Sequence, residues 1–268
     1  MRALLLLLAL LLAACPGGLE EQQHISKLRV LGVRADPPEL VLLPDAGLPA
    51  TTLTALAVDP SGAAISMRYA LCADLSGVPS PDLPCPGAAG LDLPDAGPLA
   101  ARLDLSDPRL LAFAASVDAG AFQDAGGIAA ALDQGVPLLY GFEASAGDAQ
   151  LDGFGTITLR TGKRGPAGTN PELLALDIDG GVSPGATVRL TPVTAPKDDP
   201  TKRYGFSFFA TAGEISSLRS TDTTATGQSA PTWVDWTVPD AGGVVRLWVV
   251  VRDGRGGTAF LEREVTVR

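Results

Sequence analysis

Along much of this chain apolar residues fall in short runs with partial period-two alternation, closed by Gly, Pro and Asp. "KLRVLGVRA", "ELVLLP", "TTLTALAVD" and "AISMRYALC" follow one another between residues 27 and 72, separated by Pro-Pro, Asp-Ala-Gly and Pro-Ser-Gly. Period-two alternation in runs of this length, bounded by turn residues, predicts an all-β sandwich. From Cys85 to about Gly135 the pattern is interrupted by Ala, Gly, Pro and Asp. One short helix is expected there from "DPRLLAFAAS", with Pro108 in its favoured first-turn position. Strand rhythm returns at "VPLLYGFEAS" and "GFGTITLRT". Residues 27–162 are therefore expected to form one sandwich carrying a loop insertion at about 86–135.

"GKRGPAGTNPE" has linker composition, which places a linker at 163–171. A second series of alternating runs fills 172–268: "LLALDID", "ATVRLTPV", "RYGFSFFATAG", "PTWVDWTVP", "GVVRLWVVVRDGRGG" and "TAFLEREVTVR". The order of these pieces resembles bacterial immunoglobulin-like and PKD-like repeats. Tyr204, Phe206 and Phe208 stand for the aromatic strand, Gly213 for its turn, and Trp236 with Pro239 for the middle strand. Val245, Leu247, Val249 and Val251 match the valine-rich strand, and Asp253-Gly254 with Gly256-Gly257 its hairpin. The resemblance implies two immunoglobulin-like β-sandwich domains in tandem and brings no catalytic residue.

The first fifteen residues, "MRALLLLLALLLAAC", obey another rule. Arg2 followed by the apolar run Ala3–Leu12 has the layout of a secretory leader. A spanning helix needs about 20 apolar residues, so this run is too short to remain in a membrane as one. Leu12-Ala13-Ala14-Cys15 resembles the lipobox of bacterial lipoproteins. That resemblance implies cleavage after residue 14, a diacylglyceryl group on the Cys15 thiol and an acylated amine. A thiolate is the side chain nucleophilic enough to take the lipid, and two or more acyl chains hold a protein stably. Pro16 is not the aspartate that retains many such proteins in the inner membrane, which implies the outer membrane. The alternative is an ordinary secretory signal with an incidental cysteine. Residues 15–26, the lipidated cysteine and "PGGLEEQQHIS", have no apolar periodicity and read as a flexible tether.

Export changes the reading of the other cysteines. With Cys15 lipidated, Cys72 and Cys85 remain, and an oxidising compartment favours a disulfide between them. Closing a loop of that size contributes roughly 3 kcal/mol in the chain-entropy model. A metal site from two cysteines is disfavoured because zinc wants four ligands and the one histidine, His24, lies in the tether. Asp-Ala-Gly recurs at 45–47, 95–97, 118–120, 124–126 and 240–242. Each copy suits a turn, whereas calcium needs six to eight converging oxygens. "DIDG" at 177–180 lacks the rest of a calcium loop, and Asp198 and Asp199, flanked by Lys197 and Lys202, read as a solvated loop. No cofactor is expected beyond the covalent lipid.

Charge narrows the partners. Thirty acidic against 20 basic residues give a net charge of −10, with four lysines and no basic cluster. Nucleic acid is a poor partner for such a chain. A single histidine removes histidine-based triads, and the glycine hairpins lack the following helix that a phosphate cradle needs. No catalytic residue is assigned. Alternation on the valine-rich strand turns Arg246, Trp248, Val250 and Arg252 outward, and Trp233 outward if Trp236 faces in. Trp233 and Trp248 with Arg246 then form either a platform for sugar rings or a protein partner, or indoles covered by loops or by the neighbouring domain. The expectation is a lipid-anchored cell-envelope protein, periplasmic or surface-exposed, with a structural or adhesive role. Its partners are the membrane through the lipid and an envelope protein or polysaccharide. A carbohydrate- or ligand-binding surface module is the alternative.

Overall fold

The computed structural model describes residues 22–72, 90–116 and 125–268. The expected leader, Cys15 and Cys85 lie outside these residues. The chain is all-β, built as two sandwiches in tandem with a hydrophobic core inside each.

In the first sandwich, one sheet has the order β1 (Arg29–Asp36), β3 (Ala50–Val58), β7 (Ala100–Asp104), β6 (Asp95–Gly97). The facing sheet runs β2 (Glu39–Leu42), β9 (Ala149–Thr161), β8 (Val136–Ala146), β4 (Ile65–Cys72), β5 (Gly90–Asp92), with β2 parallel to β9. Alternate residues of both sheets meet between them; Leu40, Leu53, Leu103, Ala144 and Ile157 are fully or almost fully buried. Tyr140 and Phe142 of β8 lie across β9, directly opposite Gly155 and Gly153. A β-carbon on either glycine would collide with the facing ring. Glycine here makes room for an aromatic layer, which removes the need for a functional reading of "GFGTI".

The expected insertion at 86–135 is corrected by this topology. The stretch supplies β5, β6 and β7, and β7 is an integral strand paired with β3, its Ala101 and Leu103 turned into the core. Small alanines and a single leucine give β7 a weak apolar signal, so its pattern was masked by composition. Two helices follow, α1 (Pro108–Ser116) and α2 (Ala125–Gln134), where one was expected. α2 begins on an Asp-Ala-Gly copy, whose glycines read as a turn.

In the second sandwich, β10 (Leu173–Asp179), β11 (Thr187–Thr194), β15 (Val234–Thr237) and β13 (Glu214–Ile215) form one sheet. β14 (Arg219–Thr221), β12 (Gly205–Ala210), β16 (Gly243–Arg252) and β17 (Thr258–Val267) form the other. With the short β13 and β14 set aside, the first, second and fourth strands in chain order oppose the third, fifth and sixth, which is the immunoglobulin arrangement. Trp236 is wholly buried at its centre, its Nε1 donating to the Ala212 carbonyl at 3.1 Å. Gly213 turns beside it at φ +81°, where a side chain would strike the indole.

The flexible tether is corrected at residues 22–26. His24 bridges Ala210 of β12, the Ile25 N–H donates to the Ala210 carbonyl at 2.8 Å, and the Ala210 N–H donates to the Gln23 carbonyl at 2.9 Å. β14 pairs only residues 205–207 of β12, so the outer edge of β12 beyond them is open to this segment. Ile25, 1% exposed, drives the docking by burying its side chain.

Candidate functional site

The alternation expected of β16 is observed: Val245, Leu247, Val249 and Val251 lie in the core of the second sandwich. The middle of the opposite face does not meet water. Trp248 and Val250 are 3% and 0% exposed, packed with Ile25, Leu31 and Val58 into a third apolar cluster between the sandwiches. Leu56, Phe209 and Phe260 flank it. Trp248 Nε1 donates to Glu262 Oε2 at 3.0 Å, so its polar atom is satisfied while its rings are dry.

The platform reading is therefore corrected. Trp248 is a buried interdomain residue, covered by the neighbouring sandwich. Trp233 precedes β15 in the other sheet and does not share a surface with it. Trp233 is 37% exposed, and the Arg189 guanidinium carbon lies 3.8 Å from its ring centroid. Arg246 is half-exposed on β16, but it is paired across the strand with Glu264 at 3.1 Å and with Glu262 at 3.8 Å. Arg246 and Trp248 are thus near each other, sharing Glu262 on β17. Cys72 ends β4 and is disulfide-bonded.

Around the seam lies a polar network. Asn170 donates through Nδ2 to the Ala35 carbonyl at 2.8 Å and accepts from the Thr258 N–H at 2.9 Å, so one amide clips β1 to β17. Arg252 donates to the Leu31 carbonyl at 2.9 Å. Arg160, nearly buried, holds Glu39 at 2.8 Å and donates to the carbonyls of Thr161, Gly165 and Pro166. These bonds fix the segment that composition marks as a linker.

Lys202 is the centre of the second-sandwich part of this network. Its ammonium lies 3.1 Å from Asp253, 3.0 Å from Asp198, and donates to the Thr169 carbonyl at 2.8 Å. Asp253, 2% exposed, also accepts from the N–H groups of Arg255 and Gly257 at 2.8 Å each. Burial opposes the Lys202 charge, yet Asp198 and Asp253 together hold its pKa above the ordinary lysine value. The Lys202 bond, helped by Thr169, holds Asp198 far below the usual carboxylate range. The hydroxyl and N–H of Thr201, with Arg255, lower Asp199 to about 2. Burial raises Glu39, but Arg160 and the Gly168 N–H outweigh it and its pKa is lowered. Asp198 and Asp199 are thus fixed in ion pairs, where sequence suggested a solvated loop. In sequence Asp253 reads only as part of the Asp-Gly-x-Gly-Gly hairpin and Lys202 only as a flank of the acidic pair, while Asn170 and Arg160 carry no signal.

Among the described residues no cluster of three or more His, Cys, Asp or Glu side chains is placed to hold a metal. No helix among them is long and apolar enough to cross a membrane.

No family model and no curated protein matches the chain. Among solved structures it is similar to the D0-D1 domain of intimin, at 13% identity and a TM-score of 0.27, over 89% of this chain and 98% of that one. The adhesin InvE of Yersinia pseudotuberculosis matches at 15% identity and a TM-score of 0.25, over 94% of this chain and 62% of that one. The Bacteroides ovatus mixed-linkage glucan utilisation protein SGBP-B, in complex with a heptasaccharide, matches at 11% identity and a TM-score of 0.22, over 88% and 47%. Scores this low transfer no function.

Proposed function

We propose that the chain is a lipid-anchored protein of the bacterial cell envelope, placed at the outer membrane, whose paired sandwiches act as a stiff structural or adhesive module without catalysis. The observation that carries the mechanical half of this reading is the dry seam around Trp248, clipped by Asn170, which makes two domains move as one body. A rigid pair presents surfaces to an envelope protein or polysaccharide without the ordering cost a hinged pair would incur.

The anchoring half rests on the leader pattern and Cys15. Gln22 is already at the folded body, and Cys15 is seven residues before it. Those residues span at most about 25 Å when fully extended. The acyl chains therefore hold the seam, beside Ala210, near the membrane, and both sandwiches lie within reach of the same leaflet. The disulfide of Cys72 fits an oxidising compartment, and Cys85 is its proposed partner.

Labelling cells with radioactive palmitate tests the anchor. The wild-type protein takes up label, and Cys15→Ser loses it and accumulates a precursor about 14 residues longer. Equal labelling of both forms overturns the address. Peptide mapping without reductant is expected to return Cys72 joined to Cys85.

The alternative of a ligand-binding surface keeps Trp233, with Arg189 stacked on it, and loses Trp248.

A further inference from the structure

Where β14 of the second sandwich stands opposite β9 of the first, a cleft of about 710 Å³ opens between the domains. Ligand sites range over roughly 300–1,000 Å³, so its size suits one or two sugar rings. The first sandwich lines it with Arg29, Leu151 and Asp152, and the second with Phe209, Arg219 and Arg252.

Two arginines of this cleft, Arg219 and Arg252, lie close together without a carboxylate partner among the described residues. Arg160, Arg246 and Arg255 are each paired with a carboxylate. Arg252 instead donates to the Leu31 carbonyl, which takes a hydrogen bond without cancelling charge. Among the described residues neither Arg219 nor Arg252 forms an ion pair, although acidic residues outnumber basic ones by ten. The two guanidiniums also act on each other: crowding by the walls, then the Arg219 charge, lowers the Arg252 pKa. A guanidinium stays protonated at neutral pH regardless, so this repulsion persists until an anion arrives. Planar forked donors are suited to carboxylate and phosphate oxygens.

We propose that the cleft binds an oxyanion-bearing sugar, with Arg219 and Arg252 on its carboxylate or phosphate and Phe209 and Leu151 against its ring. Asp152 accepts hydrogen bonds from the sugar hydroxyls. The site stands independently of how the chain is anchored, and it differs from the Trp233 surface.

Titration calorimetry on the full-length protein at low salt tests it, with trigalacturonate and glucose 6-phosphate as the two anionic probes and maltotriose as the neutral one. At least one anionic probe is expected to bind, more weakly as salt rises, and the stronger one identifies the source of the oxyanion. Maltotriose is expected not to bind. Arg219→Gln, on a short exposed edge strand, is expected to keep its melting temperature and to weaken binding at least tenfold. Arg252→Gln serves as the second variant, with the same direction. The proposal is overturned if neither anionic probe binds at millimolar concentration, or if Arg219→Gln binds as the wild type does. It is equally overturned if inorganic phosphate or polyglutamate binds as tightly as the sugars.

Discussion

The two sheets of the second sandwich carry one outward tryptophan each, and the two have opposite surroundings. Trp248 on β16 is 3% exposed beneath the first sandwich, whereas Trp233 beside β15 is 37% exposed with Arg189 over its ring. Strand alternation assigns each residue to a face of its own sheet and says nothing of what lies beyond that face. The identity of neighbouring residues does carry some of the missing information. Trp248 is followed by Val249, Val250 and Val251, apolar on both faces, the signature of a strand buried on two sides. Trp233 is followed by Val234, Asp235 and Trp236, polar on the outward side.

The largest test of that contrast is Trp248→Ala. Truncating a buried aromatic costs about 3–5 kcal/mol, here taken from the seam. A differential scan is expected to show the loss, together with new protease cleavage at 163–171 as the sandwiches part. A variant as stable as wild type would place Trp248 in water and erase the distinction between the sheets.

Next in size is Lys202→Met. Removing the ammonium leaves the Asp253 carboxylate buried with only the N–H groups of Arg255 and Gly257. Breaking a buried pair from one side costs about 3 kcal/mol or more. The same network sets the acid response. Glu39, Asp198 and Asp199 have folded-state pKa values below their unfolded ones. Their contribution is whole above about pH 4, the unfolded value. It falls away as pH drops through the folded values, toward about 2 for Asp199. Lys202 works the other way: its raised pKa contributes below the ordinary lysine value and is lost as pH climbs beyond it. Urea midpoints measured from pH 7 to pH 2 are expected to decline in wild type below pH 4, and less steeply in Asp198→Asn.

Asn170→Ala is expected to have a smaller effect, about 1–3 kcal/mol, because it strands the Ala35 carbonyl and the Thr258 N–H near the seam. Hydrogen exchange at the Thr258 amide is the direct readout, faster in the variant. An unchanged rate would mean that the apolar cluster alone joins the domains.

Much of this architecture was legible in the residues themselves. The six long strands of the second sandwich announce themselves because each is a short run with apolar side chains at alternate positions, and five of them are followed within three residues by Gly or Pro. β7 did not, since Ala-Ala-Arg-Leu-Asp has one large apolar side chain and sits inside an alanine- and glycine-rich stretch. Nor could a local pattern find Asn170, whose two partners are 135 and 88 residues away in the chain. Lys202 looked like a solvated charge because its partner Asp253 is remote in sequence. Gln23 to Ile25 read as tether because a single isoleucine carries the docking. Short-range periodicity reports one sheet at a time; contacts that join sheets are made by isolated residues whose types are ordinary.

The smallest effect belongs to the exposed side of the contrast. Trp233→Ala removes a ring that already meets water and a cation–π contact with Arg189 worth about 0.5–1 kcal/mol at an exposed site. Arg189 keeps Asp235 at 4.0 Å, so its charge is not stranded. Stability is therefore expected to change by less than about 1 kcal/mol. Trp236 and Trp248 are both shielded, so collisional quenching of the wild-type fluorescence by acrylamide should act mainly through Trp233, and the variant should become largely resistant. If quenching persists in Trp233→Ala, one of the two shielded indoles is reached by solvent. Of these Trp248 is the weaker point, because only the docking of the first sandwich and Ile25 keeps it dry, whereas Trp236 is closed off inside its own core.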